Sequence, residues 1–413
     1  MRDFNEFHRS LFETGDRNPD VPKDWFDAFA RLRELLGRED IKRDYGSQKA
    51  VVFLDEVPWM DTPKSDFKSA LEWFWNSFGS TRADLLFIIC GSATSWIIDN
   101  VFHNTGGLYN RVTKRMHLKP FTLSECERFL QGEGFVTTRR QIAESYMVFG
   151  GVPYYLRLLS PRYSIHQDIE RLIFAPGGQL QDEHHYLFAS LFKNSDSYIS
   201  VVKALASRTN GLNREEITQQ TGMKSGGQLT KILSELEACD FIREYQDFTK
   251  PTTGTVYQLM DAFTLFYFHF VENRKLQSWL DYLHSPGYYA WSGIAFERVC
   301  LLHSAQIKDS LRISGIRSSE FSWRSKAAKP GTQIDLLIDR KDGIIDLCEM
   351  KYTEDALAVS SDLRKELERK RTVFRDETQT EKAIHILLIS AAGFAEKQPD
   401  ETIQYKLSLD DLF

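Results

Sequence analysis

The sequence predicts a multidomain α/β chain, and three observations predict it. Two short apolar runs, 50–54 and 85–90, flank an amphipathic helical stretch. That is the spacing of a βαβ unit and hence of a parallel sheet covered on both faces. Two further expected strands, 333–338 and 344–349, follow a helical segment that begins at Trp291. Between these α/β parts the rhythm changes twice. Residues from about 120 to 190 read as helices, and residues 197–260 read as three short helices closed by a hairpin. A chain of 413 residues also exceeds one typical core, so several domains are expected.

Taken in order, Asp24 to Leu36 places Trp25, Phe26, Phe29, Leu32 and Leu36 at helical spacing. The strand 50–54 follows. Thr62 and Pro63 offer an N-cap and a proline at the first helical position. Phe67, Leu71, Phe74 and Phe78 then form one apolar stripe, with Gly79 placed to end that helix. The stretch from Pro120 to Glu125 is a turn entering a capped helix. Tyr198–Ala206, Asn213–Thr221 and Gly227–Ala238 are separated by Gly211 and Gly222. With the strands 241–245 and 256–259 they make three helices and a two-stranded wing, the pattern of a winged helix-turn-helix. Residues 261–290 are an aromatic-rich helical connector. Phe263, Phe266, Tyr267, Phe268 and Phe270 within it read as core, and His184-His185 reads as a solvated turn without metal-ligand spacing.

Composition excludes several classes. Hydrophobic residues make up 42% and aromatics 13%, ample for packed cores and unlike a disordered chain. The net charge of −6 argues against a globally basic nucleic-acid binder but leaves room for a local patch. The five cysteines carry no C-x-x-C pair, which fits reduced thiols in a cytoplasmic protein and offers neither a disulfide framework nor a zinc site. No apolar run approaches the roughly 20 residues that span a bilayer, so no membrane partner is expected.

Two constellations carry chemistry. The first is Ala50-Val51-Val52-Phe53-Leu54-Asp55-Glu56, a buried strand ending in an acidic pair. This is the pattern of a Walker B element, in which the Asp holds Mg²⁺ through water and the Glu orients an attacking water. Its partner, the phosphate loop G-x-x-x-x-G-K-[ST], occurs nowhere in the 413 residues. The run Phe87-Ile88-Ile89-Cys90-Gly91-Ser92 ends beside the first strand in a small polar residue, placed to sense a γ-phosphate or the attacking water.

The second constellation lies near the C-terminus. Asp335 on one strand and Glu349-x-Lys351 on the next match the metal-dependent nuclease pattern PD-(D/E)XK. Two carboxylates on neighbouring strands would hold Mg²⁺ against a scissile phosphate, and a Lys two residues on shares the face of the second. Ile334 stands where that pattern has proline. Glu297, on the preceding helix, would add a third acid. The helix Gly227–Ala238 could read DNA through Gln228, Thr230 and Lys231, although Glu235 and Glu237 on it would repel phosphates.

The stretches VVFLDEVPWMDTPKS, FIICGSATSWI, GGLYNRVTKRMHLKPFTLSE and YMVFGGVPYYLRLL together resemble the archaeal-type ATPase family, related to the AAA+ and STAND NTPases, over nearly the whole chain. The resemblance implies that Asp55 coordinates Mg²⁺, that Glu56 polarises water and that Ser92 is sensor 1. It implies that Arg111 reaches a phosphate and that Gly151-Val152-Pro153 is the turn whose proline packs on adenine. It also implies an order of parts: a partial ATPase core over 1–118, a helical lid over 119–195, a winged helix over 196–262, a connector over 263–290 and a restriction-nuclease-like domain over 291–413.

Family members carry a strand and phosphate loop ahead of the helices at which this sequence starts, so an absent N-terminal part is the expectation. ATP and Mg²⁺ are the implied cofactors, with ATP held weakly. DNA, a second copy of the chain, or a separate polypeptide bearing the phosphate loop are the implied partners. Three function classes follow: a nucleotide-gated regulator or DNA-transaction factor, a Mg²⁺-dependent DNA nuclease working through the C-terminal domain, and a non-catalytic regulator or decayed fragment.

Overall fold

The computed structural model describes residues 2–413 except 42, 45, 92–93, 103–106, 109, 250–253, 273–275, 326–327, 329–330 and 396–400. The chain is a mixed α/β protein that divides into two compact units, Met1–His117 and Leu118–Phe413.

The first unit contains helices α1 (Arg2–Glu13), α2 (Trp25–Leu36) and α3 (Phe67–Ser77), and strands β1 (Ala50–Leu54) and β2 (Leu85–Ile89). Asp24 caps α2 by accepting from the Asp27 amide. Trp25, Ala28, Phe29, Leu32 and Leu36 turn inward from α2 and meet Phe67, Leu71 and Phe74 of α3. The expected cap at Thr62-Pro63 is not used. Helix α3 starts at Phe67, behind Asp66, which has the left-handed φ of 53° and forms no side-chain cap. Thr62 instead accepts the Ser65 amide in a turn.

Strands β1 and β2 pair in parallel, Val51 with Leu86 and Phe53 with Ile88. One face is packed by the helices. On the other, Val51, Phe53, Leu86 and Ile88 remain 48%, 56%, 42% and 38% exposed. A parallel sheet normally has both faces covered, so this unit presents an open apolar face.

The second unit opens with α4 (Leu123–Gly132), α5 (Arg139–Phe149), α6 (Pro153–Leu158), α7 (Ile165–Ile169) and α8 (Glu183–Leu191). Capping boxes start α4 at Thr122 and Glu125 and α5 at Thr138 and Gln141. Three helices follow, α9 (Ser195–Ala206), α10 (Arg214–Thr221) and α11 (Gly227–Ala238), with β3 (Leu212–Asn213), β4 (Ile242–Asp247) and β5 (Thr255–Leu259). Helix α12 (Ala262–Phe266) runs into a π-helical turn over Tyr267–Val271. The aromatic run is core, as expected: Phe263, Phe266, Phe268 and Phe270 are all buried.

His184 is not in a solvated turn. It lies on α8, buried, and stacks on the Tyr267 ring at 4.2 Å between centroids. Burial pulls its pKa down to about 4, so it is a neutral aromatic core residue. Glu235 is likewise turned inward from α11, where the Tyr198 hydroxyl donates to it, so it does not confront a phosphate.

The rest of the unit comprises α13 (Pro286–Leu302), α14 (Ser304–Ser310), β6 (Ser318–Arg324), β7 (Gln333–Arg340), β8 (Ile344–Lys351), α15 (Ser361–Thr378), β9 (Ala383–Ser390) and β10 (Tyr405–Ser408). Among the described residues the sheet has eight strands in the order β10-β9-β8-β7-β6-β4-β5-β3. The hairpin of the three-helix module therefore continues the C-terminal sheet, through parallel pairing of Gln246 with Phe321 and Asp247 with Ser322. One core unites α4–α7, α12 and α13 with Leu336, Ile338, Cys348, Met350, Leu387 and Ile389 of the strands.

The turn before β3 is held tightly. Gly211 has φ of +75°, and a Cβ there would stand 2.4 Å from the Tyr257 carbonyl oxygen. Gly211→Ala is expected to destabilise the protein by on the order of 2 kcal/mol, from left-handed strain and overpacking together. Urea unfolding of the variant against the parent checks this.

Candidate active site

Helix α13 carries the first acid. Ser285 caps it by accepting the Tyr288 amide, Pro286 opens it, and Trp291, Ala295, Phe296 and Val299 are buried along it. This packing fixes Glu297 against the sheet. Strands β7 and β8 carry the others. They pair antiparallel, Leu336 with Cys348 and Leu337 with Leu347, so Asp335 is one position beyond the paired run, level with Glu349.

The register between β6 and β7 slips there. Phe321 pairs with Leu337, but Trp323 pairs with Ile334, so Asp335 and Leu336 together oppose Ser322. This is a β-bulge, a device that re-aims a side chain beside a site. It also explains why Ile334 and Leu337 both pack in the cluster with Trp323 and Phe374, which strict alternation forbids.

The charges interlock. Glu349 is buried, and both of its oxygens are taken: Lys351 Nζ is 2.8 Å from Oε1 and Lys370 Nζ is 2.6 Å from Oε2. Burial alone would raise the Glu349 pKa, but Lys370 and Lys351 hold it below the usual carboxylate range. Burial disfavours the Lys351 ammonium, yet Glu349 raises its pKa, so Lys351 stays charged and serves as a fixed cation, not as a base.

Glu297 moves the other way. Burial first, then the negative charges of Asp335 and Glu349, push its carboxyl up to about 8. Arg298, next to it, is buried, donates Nε–H to the Leu259 carbonyl at 2.9 Å and donates through Nη2 to the Thr209 carbonyl; among the described residues its buried Nη1 meets no hydrogen-bond partner. Arg243, whose pKa burial lowers to about 10, lies over the Tyr245 ring and within electrostatic reach of Arg298 and Asp335. It also lines a cleft of about 420 Å³ with Glu237, Glu244, Tyr245, Gln246, Glu320 and Phe321.

Mg²⁺ is the ion the nuclease pattern implies for these carboxylates. Their oxygens are of the hard type the ion prefers. The repulsion that keeps Glu297 protonated is what a divalent cation between these carboxyl groups would relieve, so the residues fit in kind. Among the described residues, however, no three His, Cys, Asp or Glu side chains stand close enough together to hold an ion. Lys351 and Lys370 occupy the oxygens of Glu349, and the bulge sets the backbone of Asp335.

The expected nucleotide residues are less assembled. Asp55 is exposed at the end of β1 and accepts the Glu56 amide at 3.0 Å. Glu56 takes a left-handed φ of 50°, unusual for a residue with a side chain. The strand ends are tied by Cys90 N–H to the Leu54 carbonyl and Val57 N–H to the Cys90 carbonyl. Burial and the neighbouring Asp55 raise the Cys90 thiol pKa. Ser92 lies outside the described residues. Arg111 is exposed, in a loop.

Gly151 and Pro153 belong to the second unit, and a local structural reason accounts for both. The Gly151 carbonyl accepts the Phe121 amide at 2.7 Å, and a Cβ on Gly151 would stand 1.9 Å from the Phe121 oxygen. Pro153 opens α6.

The sequence reading missed Lys370, Arg298 and Arg243. Arg298 adjoins Glu297 and was legible as a neighbour. Lys370 sits on a helix with charges on nearly every turn, where nothing local marks one lysine as inward-facing.

No protein-family model matches the chain, and no curated protein matches it. Among solved structures the chain is similar to a Walker-type ATPase of Pyrococcus abyssi, at 18% identity over 64% of this chain and 75% of that one, with a TM-score of 0.42.

The raised pKa of Glu297 has a signed consequence. Between its ordinary value of 4.5 and about 8 the folded chain binds more protons at this group than the unfolded chain does. Its contribution to stability therefore falls as pH rises through that window. In chelator-treated protein, Glu297→Gln is expected to match the parent near pH 5 and to melt at a higher temperature than the parent near pH 8.5. Thermal melts at the two pH values check this.

Proposed function

We propose that the chain is a two-part protein in which a magnesium-dependent phosphodiesterase site acting on DNA, in the second unit, is governed by a nucleotide-responsive ATPase-type first unit. The observation that carries the proposal is the gathering of Glu297, Asp335, Glu349 and Lys351 into one interacting group, from a helix and two adjacent strands. A buried carboxyl whose pKa is strongly shifted by burial and specific charge partners is a functional-site candidate.

The nuclease pattern assigns Mg²⁺ to Asp335 and Glu349, and on this reading Lys351 or Lys370 would have to leave a Glu349 oxygen to an incoming ion, which would then supply Lewis-acid stabilisation of a phosphate. Lys351, kept charged by Glu349, places a cation where charge builds on the phosphate oxygens. The three-helix module with its hairpin is read as a winged helix. The inward turn of Glu235 removes one of the two charges that weighed against DNA on α11.

Plasmid nicking by the purified chain is expected to require Mg²⁺, and Asp335→Ala is expected to abolish it. Nicking that persists in Asp335→Ala would sink the assignment. No nicking by the parent in any divalent metal would favour a non-catalytic regulator.

The nucleotide reading of the first unit rests on Asp55-Glu56 at the C-terminal end of a parallel strand, where open α/β sheets bind ligands. The phosphate cradle and its lysine supply most of the charge neutralisation of a bound triphosphate, and the 413 residues contain no such loop. Calorimetric titration of the 413-residue chain with Mg-ATP is expected to show weak binding or none. Detectable Mg-dependent turnover by this polypeptide alone would overturn that expectation.

A further inference from the structure

Strands β4 and β6 meet at one end only. They pair at Gln246 with Phe321 and at Asp247 with Ser322, and no other register pair joins them among the described residues. Ahead of that contact, Ile242–Tyr245 and Ser318–Glu320 part, and the cleft of about 420 Å³ opens between them. Each strand is paired on its other side, β4 with β5 and β6 with β7. The two edges that face the cleft are therefore strand edges without a strand partner, set inside an otherwise continuous sheet.

Three carboxylates and one guanidinium line the cleft. Glu320 is already paired, with Lys308 Nζ at 2.6 Å. Arg243 is fixed in place: its Nε–H donates to Gln258 Oε1 at 2.8 Å, its guanidinium lies over the Tyr245 ring, and Glu320 and Asp335 offset its charge. Glu237, at the end of α11, and Glu244, on β4, are left over, and both are exposed. Burial and then the charge of Glu244 raise the Glu237 pKa, so the two carboxylates repel one another. Arg214, whose charge is felt at the neighbouring Tyr257, is committed to Ser225, to the Gly226 carbonyl and to Thr230.

We propose that this cleft docks an extended basic segment of a partner polypeptide, with an arginine or lysine side chain entering between Glu237 and Glu244 and the segment's backbone lying along the free edges of β4 and β6. The chemistry of the walls selects this occupant. A phosphate would meet the unpaired carboxylates and be repelled. The carboxylates are spread around the cleft, and among the described residues no three acids stand close enough to hold a metal ion. An ammonium or guanidinium group on a long stem suits them better. Its charge relieves the repulsion between Glu237 and Glu244, while Tyr245 and Phe321 give its methylene groups an apolar wall. Unpartnered strand edges add main-chain hydrogen bonds, the usual source of affinity when an extended peptide joins a sheet. The cleft uses neither Glu297 nor Glu349, so the inference goes beyond the proposed reaction and stands or falls separately from it.

The test titrates the full chain into a fluorescein-labelled peptide, Gly-Val-Arg-Val-Lys-Val-Gly, and follows fluorescence anisotropy. A twin peptide carries Glu in place of Arg and Lys. The basic peptide is expected to bind and the acidic twin is not. Glu237→Gln and Glu244→Gln are each expected to weaken binding about 3-fold, and the pair about 10-fold, the scale of partly exposed ion pairs. Glu133→Gln removes the same charge from an exposed position just past α4 and is expected to leave binding unchanged. The cleft variants alter exposed side chains only, so their melting temperatures are expected to match the parent. A loss in Glu133→Gln equal to that in the cleft variants would mean diffuse attraction and overturn the site. Failure of the basic peptide to bind would overturn it as well. Displacement of the labelled peptide by spermidine as readily as by unlabelled peptide would overturn the polypeptide partner, because a free polyamine makes no use of strand edges.

Discussion

The second unit depends on a short piece of strand pairing. Among the described residues β4 and β6 pair at Gln246 with Phe321 and Asp247 with Ser322, yet this short contact converts a hairpin and a separate sheet into one eight-stranded sheet. Phe248, just past β4, extends the junction by stacking edge-on to Phe321 and packing on Phe374 of α15. The same junction brings Arg243 and Tyr245 of β4 to the side of the sheet where α13 delivers Glu297 and Arg298. Without that pairing the turn 208–211 would have no fixed relation to β7, and the bond from Asn210 to Gln333 could not form. The acidic group is thus a product of sheet continuity as much as of its own strands.

How much of this was legible follows from where the signals were local. Helix α2 was readable because its apolar spacing and the Asp24 cap agree, and β7 and β8 because Ile334, Leu336, Leu337 and Ile338, and Ile344, Ile345, Leu347 and Cys348, concentrate β-branched and aliphatic residues around a few acidic positions. Strand β6 was not readable. Ser-Ser-Glu-Phe-Ser-Trp-Arg has one buried hydrophobic, Trp323, and gains its strand state from pairing with the next strand, β7, and with β4, far earlier in the sequence. The expected cap at Thr62-Pro63 obeyed a sound rule and lost to tertiary packing, since the apolar stripe of α3 reaches the α2 core only from Phe67 onward. His184 was taken for a polar residue because its type usually is. A neutral imidazole stacked between aromatic rings is a long-range outcome with no local trace.

The acidic constellation shows the same division. The identities and spacing of Asp335, Glu349 and Lys351 were visible because they lie on consecutive strands. The bulge at Asp335 was invisible, since it is decided by β6. So was the second lysine on Glu349: Lys370 approaches from α15, across the sheet, and its charge sits among the alternating signs of a long surface helix. The pairing changes the chemistry expected of Lys351. Burial disfavours the Lys351 ammonium, and the carboxylates facing it, Glu349 above all, favour it.

The two candidate sites differ in how far the fold has committed to them. In the second unit charged groups are buried beside one another, at a cost that only specific interactions offset, and one carboxyl is forced to stay protonated. Nothing about packing alone calls for Glu297, Asp335 and Glu349 together, because apolar residues would fill the space more cheaply. In the first unit Asp55 is exposed and Glu56 half-buried, and the neighbouring sheet face, Val51, Phe53, Leu86 and Ile88, lies open although parallel strands bury such faces. A contiguous apolar face next to an acidic strand end is unfavourable in water unless something covers it. The electrostatic commitment of the second unit and the open face of the first therefore describe different conditions: one site closed upon its own cations, the other still exposed to whatever would complete it.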